Sequence, residues 1–185
     1  MALPSNERER RLSLYRDRVD AYVGVDAEFG QRWRSWCQKL LSFGGSLVVP
    51  PGKPESDLEE LRAGGSAFGS AVRYVQGDAG ECHRNVAALW IDGVIESIGT
   101  GYALSADELW RQHSWGVERD GALVETTDER RAYVGIVLPA RAPSMQFAGS
   151  NAQEHLKTVL RQRGPRTAGL ISMIRELASA GRSRS

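Results

Sequence analysis

The order of periodicities along the chain predicts an α+β fold. Apolar residues at helical spacing fill the first forty or so positions, alternating segments rich in β-branched residues and glycine follow, and a basic amphipathic stretch closes the sequence. Helices come first and strands second, with a hairpin signal between two of the strands. That order fits an antiparallel sheet flanked by helices. With 185 residues, the chain is long enough for one domain with a substantial core.

Residues 5–43 read as an N-terminal helical brace. Leu12, Tyr15, Val19 and Tyr22 recur at steps of three and four, "VGVD" interrupts them, and Asp26 is placed to cap a second helix. Phe29, Trp33, Trp36 and Leu40 form the apolar stripe of that second helix, with Cys37 beside it as a packing residue, and Gly44-Gly45 end it. "SLVVPPGKPES" is a short apolar piece leading into a proline-rich linker. Ser56 and Glu59 have capping-box spacing for a short helix through Arg62. "AGGSAFGS" reads as a loop, and "AVRYVQ" as an extended segment leading to Cys82.

Residues 71–139 form the expected core. A helix over Asn85–Trp90, with Cys82 in its first turn, ends at "IDG". Four strands follow: "VIESIGTGYAL", "LWRQHSWGVER", "ALVETT" and "AYVGIVL", the last closed by Pro139. Gly99 and Gly101 suggest a bulge or the close approach of a ligand. Asp120-Gly121 marks the hairpin turn. Residues 151–180 read as two short C-terminal helices separated by Gly164-Pro165. Leu156, Val159 and Leu160 face inward in one, and Leu170, Met173, Ile174 and Leu177 in the other.

A formal net charge of +1 gives no electrostatic case for nucleic acid or a membrane surface. No apolar run reaches membrane-span length, and "MALPSNERERR" lacks the apolar centre of a signal peptide. The C-terminal stretch is mildly basic, with Lys157, Arg161, Arg163, Arg166, Arg175, Arg182 and Arg184 against Glu154 and Glu176. Such a stretch is a solvated face or, alternatively, a surface for a protein partner. Two cysteines make no disulfide framework, which points to a reducing cytoplasm.

Cys82 carries the chemical interest. The N–H groups of a helix's first turn and its dipole favour a thiolate, the nucleophilic form of cysteine. A nucleophile needs a base, and the base an orienting group. Of the three histidines, His83 is adjacent to Cys82 but on a different helix face, and His155 lies in the basic tail helix. His113 lies in a strand between Trp110 and Trp115, shielded from water, and is the preferred base. The orienting acid is Glu125 or Asp128. A two-residue turn at Asp120-Gly121 pairs His113 with Asp128, whereas a three-residue loop or a bulge brings Glu125 to the His113 face. Gln76, six positions before Cys82, can donate to an oxyanion together with the Cys82 N–H. Gly77 and Gly80 permit close backbone approach, and Tyr102, Trp110 and Trp115 are expected to line a cleft with Gly80.

These residues form a pattern. "QGDAGEC" resembles the Q-G-x-C-G-S-C segment of papain-like cysteine proteases, with Gln76, Gly77, Gly80 and Cys82 in matching positions and Ala79 where that segment has a further cysteine. "HSW" and "VETT" resemble the histidine-x-tryptophan and V-D-P-T strands of the transglutaminase-like branch, and "AYVGIVL" resembles the Y-x-G strand of small bacterial and phage proteins of this type. The resemblance spans Tyr74 to Leu138. Glutamate stands where the family has aspartate or asparagine. The resemblance implies a papain/transglutaminase-like core, a Cys-bearing helix packed on an antiparallel sheet. It also implies a Cys82–His113–Glu125 triad with Gln76 at the oxyanion hole, no cofactor, and a peptide or small acyl substrate. Two other readings remain: a catalytically silent descendant serving as a binding module, and a metal site using Cys82, His83 and His113, for which no CxxC or HxxxH spacing exists.

Overall fold

The computed structural model describes residues 4–24, 26, 28–53, 55–139 and 142–163. Among them are six helices and seven strands, in the order α1 (Ser5–Val23), α2 (Phe29–Ser42), β1 (Leu47–Val48), α3 (Leu58–Gly64), β2 (Ser66–Phe68), β3 (Val72–Tyr74), α4 (Cys82–Asp92), β4 (Ser97–Leu104), β5 (Leu109–Val117), β6 (Leu123–Glu125), β7 (Ala132–Val137), α5 (Ala142–Asn151) and α6 (Gln153–Arg163). The class is α+β, as expected. The sheet is mixed, not antiparallel: its order is β2-β7-β4-β5-β6-β3, with β1 also pairing β5, and both β1–β5 and β3–β6 are parallel.

The chain divides into two compact units, one of Met1–Gly69, Thr100–His113 and Glu129–Ile136, the other of Ser70–Gly99, Ser114–Asp128 and Val137–Ser185. The first unit is built on the stripe of α2. Phe29, Trp33, Trp36 and Leu40 are buried together with Val48, Leu58, Leu61, Tyr102, Leu104, Trp110 and Val134. Burying each such large side chain contributes about 1.5–3 kcal/mol, so α2 is the core of its unit and not a lid over one. Helix α1 has no fully buried residue. Cys37 packs beside the stripe, and burial pushes its thiol up to about 12.

Four local expectations change. Asp26 does not cap α2 directly. Its carboxylate accepts from the Glu28 N–H at 3.0 Å and pairs with Arg32, while the cap position itself is Glu28. The capping box of α3 does not form: Ser56 bonds Asp57, and Glu59 pairs with Arg62. "SAF" within the expected loop is β2, antiparallel to β7 with Ala67 opposite Val134. Its side chains are largely exposed and show no alternation, so only the backbone ladder reveals it. Gly101 and Gly135 make way for protein and not for a ligand. A Cβ on Gly101 would strike the Val134 carbonyl, and one on Gly135 the Thr100 carbonyl.

In the second unit α4 packs against α5 and α6 through Ala87, Ala148 and Ala152, flanked by Trp90, Ile91 and Phe147. Helix α5 was not expected, because Pro143, Gly149 and two serines give it poor intrinsic propensity. Leu156 and Leu160 of α6 are buried. The second C-terminal helix expected over Leu170–Leu177 lies outside the described residues.

Candidate functional site

The second unit holds Gln76, Gly80, Cys82, Trp115 and Glu125, and the first holds Tyr102, Trp110 and His113. In the second unit, β3 runs parallel to β6, with Tyr74 opposite Glu125. The ladder continues past the strand: the Val75 N–H donates to the Glu125 carbonyl at 2.9 Å and the Gly77 N–H to the Thr126 carbonyl at 3.0 Å. The chain then turns through Asp78–Glu81, with the Glu81 N–H on the Asp78 carbonyl at 3.2 Å, and enters α4 at Cys82. Gly80 adopts φ +76°, a left-handed conformation that favours glycine, and its Cβ position meets open space. Gly77 is required for another reason: a Cβ there would lie 2.6 Å from Asn85 Cγ and 3.0 Å from the Thr126 carbonyl. Gln76 is exposed between these two anchored neighbours.

Cys82 is the first residue of α4, in no disulfide and at 7 % exposure. Helix N-termini favour a thiolate. Its neighbour His83 turns elsewhere. His83 Nδ1 lies 2.7 Å from Ser114 Oγ, and the ring stands edge-on to Phe147. His155 Nε2 lies 2.9 Å from the Asp92 carboxylate at the end of α4.

The β5–β6 hairpin decides which way Glu125 points. Gly116 pairs with Val124 and Val117 with Leu123, and the Glu118 N–H closes on the Ala122 carbonyl at 2.9 Å. The loop is therefore Arg119–Gly121, three residues with Gly121 at φ +88°, not the two-residue turn. Extending the register sets Trp115 opposite Glu125, so both side chains share one face of the pair. Glu125 is completely buried at the end of β6. Its Oε1 accepts from the Thr126 N–H at 2.8 Å, the Thr127 N–H at 2.9 Å and Thr127 Oγ1 at 3.0 Å. Three donors on one oxygen are a receptor for a negative charge. Asp128, the competing acid, is exposed beyond the strand.

In the first unit His113 is 3 % exposed, its ring centroid 6.2 Å from that of Tyr133. Tyr102 and Trp110 were expected to line a cleft, but both are wholly buried. Tyr102 packs on Trp33 and Trp36 and donates to Glu55 at 3.2 Å, while Trp110 Nε1 donates to the Gly44 carbonyl at 2.8 Å. Trp115 of the second unit is likewise fully buried and lies against Gly99, which explains that glycine without a ligand. Glu55 also accepts from Gln112 Nε2 at 2.9 Å, and burial beside Asp57 raises its carboxyl to about 7.

No protein-family model, curated protein or solved structure matches this chain. Among the described residues no group of three or more His, Cys, Asp or Glu is arranged to hold a metal ion, and no helix is long and apolar enough to cross a membrane. Sequence reasoning missed two residues of the second unit, Asn85 and Thr127. The signal for Asn85 was Gly77, whose missing side chain marks where another group must fit. The signal for Thr127 was the "ETT" triplet, in which a hydroxyl two positions on can reach back to a carboxylate.

Proposed function

We propose that the protein is a cysteine-nucleophile enzyme with a papain/transglutaminase-like core, acting on an amide, ester or thioester carbonyl of a peptide or small acyl substrate. The observation that carries this reading is the buried carboxylate of Glu125, held by three donors in the unit whose helix α4 begins at Cys82. A fully buried carboxylate is costly unless paired or used, and such groups concentrate at functional sites. Alternation along β5 assigns His113 the same side of that strand as Trp115, the partner of Glu125, which supports Glu125 over Asp128 as the orienting acid.

In this mechanism His113 takes the proton from the Cys82 thiol, and the thiolate attacks the carbonyl carbon. The C=O π pair moves onto oxygen, where the Gln76 amide and the Cys82 N–H stabilise it. Collapse of the tetrahedral species expels the amine, alkoxide or thiolate, which receives the proton from His113. The acyl thioester then passes to water or to an amine, with His113 accepting the incoming proton and returning it to Cys82 sulfur. Glu125 holds the imidazole and stabilises its protonated form. No cofactor takes part in these steps. Free cysteines at 37 and 82 suit a reducing compartment, and we assign the enzyme to the cytoplasm on that ground.

Treating the protein with p-nitrophenyl acetate and mapping the adduct by mass spectrometry tests this. Acetylation of Cys82, absent in Cys82→Ala and undiminished in Cys37→Ala, is expected. No adduct on Cys82 refutes the enzyme. One observation favours the second reading, a catalytically silent binding module: Cys82 is buried like a packing residue. On that reading the basic C-terminal stretch contacts a protein partner, and the unreactive thiol is the outcome that selects it.

A further inference from the structure

Asn85 of α4 helps to fix the segment before Cys82. It lies three positions after Cys82, one turn along the same side of the helix. Its side chain leaves the helix and pairs with the backbone of a single residue. Oδ1 accepts from the Asp78 N–H at 3.2 Å, and Nδ2 donates to the Asp78 carbonyl at 2.8 Å. The amide thus replaces a neighbouring strand for Asp78, satisfying both of its main-chain groups. Gly77 seats against the same amide, since any side chain at 77 would overlap Asn85. On its other side the Gly77 N–H is bonded to the Thr126 carbonyl, and Val75 to that of Glu125. Arg84 adds a salt bridge to the Asp78 carboxylate at 2.6 Å, but this pair is exposed and worth little.

The loop is therefore gripped from two directions, by the end of β6 and by the first turn of α4. Gln76 lies inside the first grip and Cys82 beside the second. The distance between the Gln76 side chain and the Cys82 N–H is set by how tightly the chain is held at Gly77 and Asp78. We infer that Asn85 is a positioning residue, which fixes Gln76 relative to Cys82 so that the two donors converge on the oxyanion. This inference rests on the acyl-transfer reading of the site and names what aligns it.

The consequence separates two reactions of one thiol. Acylation by p-nitrophenyl acetate passes through a tetrahedral oxyanion, whereas alkylation by iodoacetamide is a direct displacement at carbon and forms none. Asn85→Ala removes both bonds to Asp78 and sets no new charge beside Cys82. Gly77→Ala displaces the same contact from the other side. Loss of one oxyanion donor costs about 100-fold or more, so a misaligned one should cost about tenfold or more in acylation. We expect Asn85→Ala, and Gly77→Ala where it folds, to slow Cys82 acylation by at least about tenfold while alkylation changes by less than about twofold. Equal loss in both reactions means that Asn85 only supports the fold and overturns the inference, as does loss in neither. If wild-type Cys82 is acylated and only the variants fail to show the split, the positioning role alone falls. A wild-type Cys82 inert to the ester removes the enzyme reading and this inference with it.

Discussion

Replacing Glu55 with glutamine should remove a defined part of the protein's pH-dependent stability. Glu55 belongs to the first unit, half-buried, with Tyr102 OH and Gln112 Nε2 donating to one oxygen and Asp57 nearby. Desolvation, the largest cause, and the like charge of Asp57 raise its carboxyl from 4.5 to about 7, partly offset by the two donors. A carboxyl whose folded value is raised holds its proton longer in the native state than in the unfolded chain. Its contribution to stability is present in full below about 4.5 and is lost as pH rises through about 7. At about 1.4 kcal/mol per pH unit the rise corresponds to roughly 3 kcal/mol at most, and partial solvent access lowers the expected loss to about 1–3 kcal/mol. Glu55→Gln keeps an oxygen acceptor and carries no charge at any pH. Urea unfolding midpoints at intervals from pH 4.5 to 8.5 should diverge, the variant gaining on wild type by that amount toward pH 8. Parallel curves for the two proteins would refute the account of Glu55.

Three further outcomes follow from the geometry. Glu125→Gln replaces the acceptor of three bonds with a group unable to stabilise an imidazolium, and should slow Cys82 acylation by about tenfold or more, while Asp128→Asn changes it by less than about twofold; the reverse ranking would restore Asp128 as the acid. Trp36→Ala empties the centre of the α2 core and should lower unfolding free energy by about 3–5 kcal/mol, measured by urea denaturation; a loss under about 1 kcal/mol would contradict its place there. Cys37, with its thiol pushed up to about 12 by burial, should react with iodoacetamide at neutral pH far more slowly than N-acetylcysteine, followed by peptide mapping of the Cys82→Ala variant.

Much of the fold was legible because its elements declare themselves locally. The spacing of Phe29, Trp33, Trp36 and Leu40 marks α2, the Asp120-Gly121 turn and Pro139 bound strands in the second half, and the apolar run after the glycines at 77 and 80 marks a helix with Cys82 in its first turn. What was hidden depends on partners distant in sequence. Alternation in "VRY" signals a strand but not its direction, so the parallel pairing of β3 with β6 was invisible. Helix α5 forms against α4 despite its Pro143 and Gly149. The glycines at 99 and 101 announce close approach in either case, and nothing local distinguishes Trp115 or the Val134 carbonyl from a ligand. Tyr102 and Trp110 look like cleft residues for the same reason: an aromatic on a strand serves a core or a pocket equally well. At the site, one residue of loop length separated Glu125 from Asp128, and Asp120-Gly121 fits both hairpins.

If Cys82 is the activated nucleophile we propose, the pH dependence of its alkylation will reveal it. Second-order rates with iodoacetamide, measured from pH 5 to 9 on wild type and His113→Ala and mapped to Cys82, give the ionisation of the thiol in place. An ordinary thiol loses its proton near 8.5 and is almost inert at pH 6. Wild type should react well below that range, and His113→Ala should shift the profile upward toward it. A wild-type profile rising only at or above pH 8.5, unchanged in His113→Ala, would contradict it.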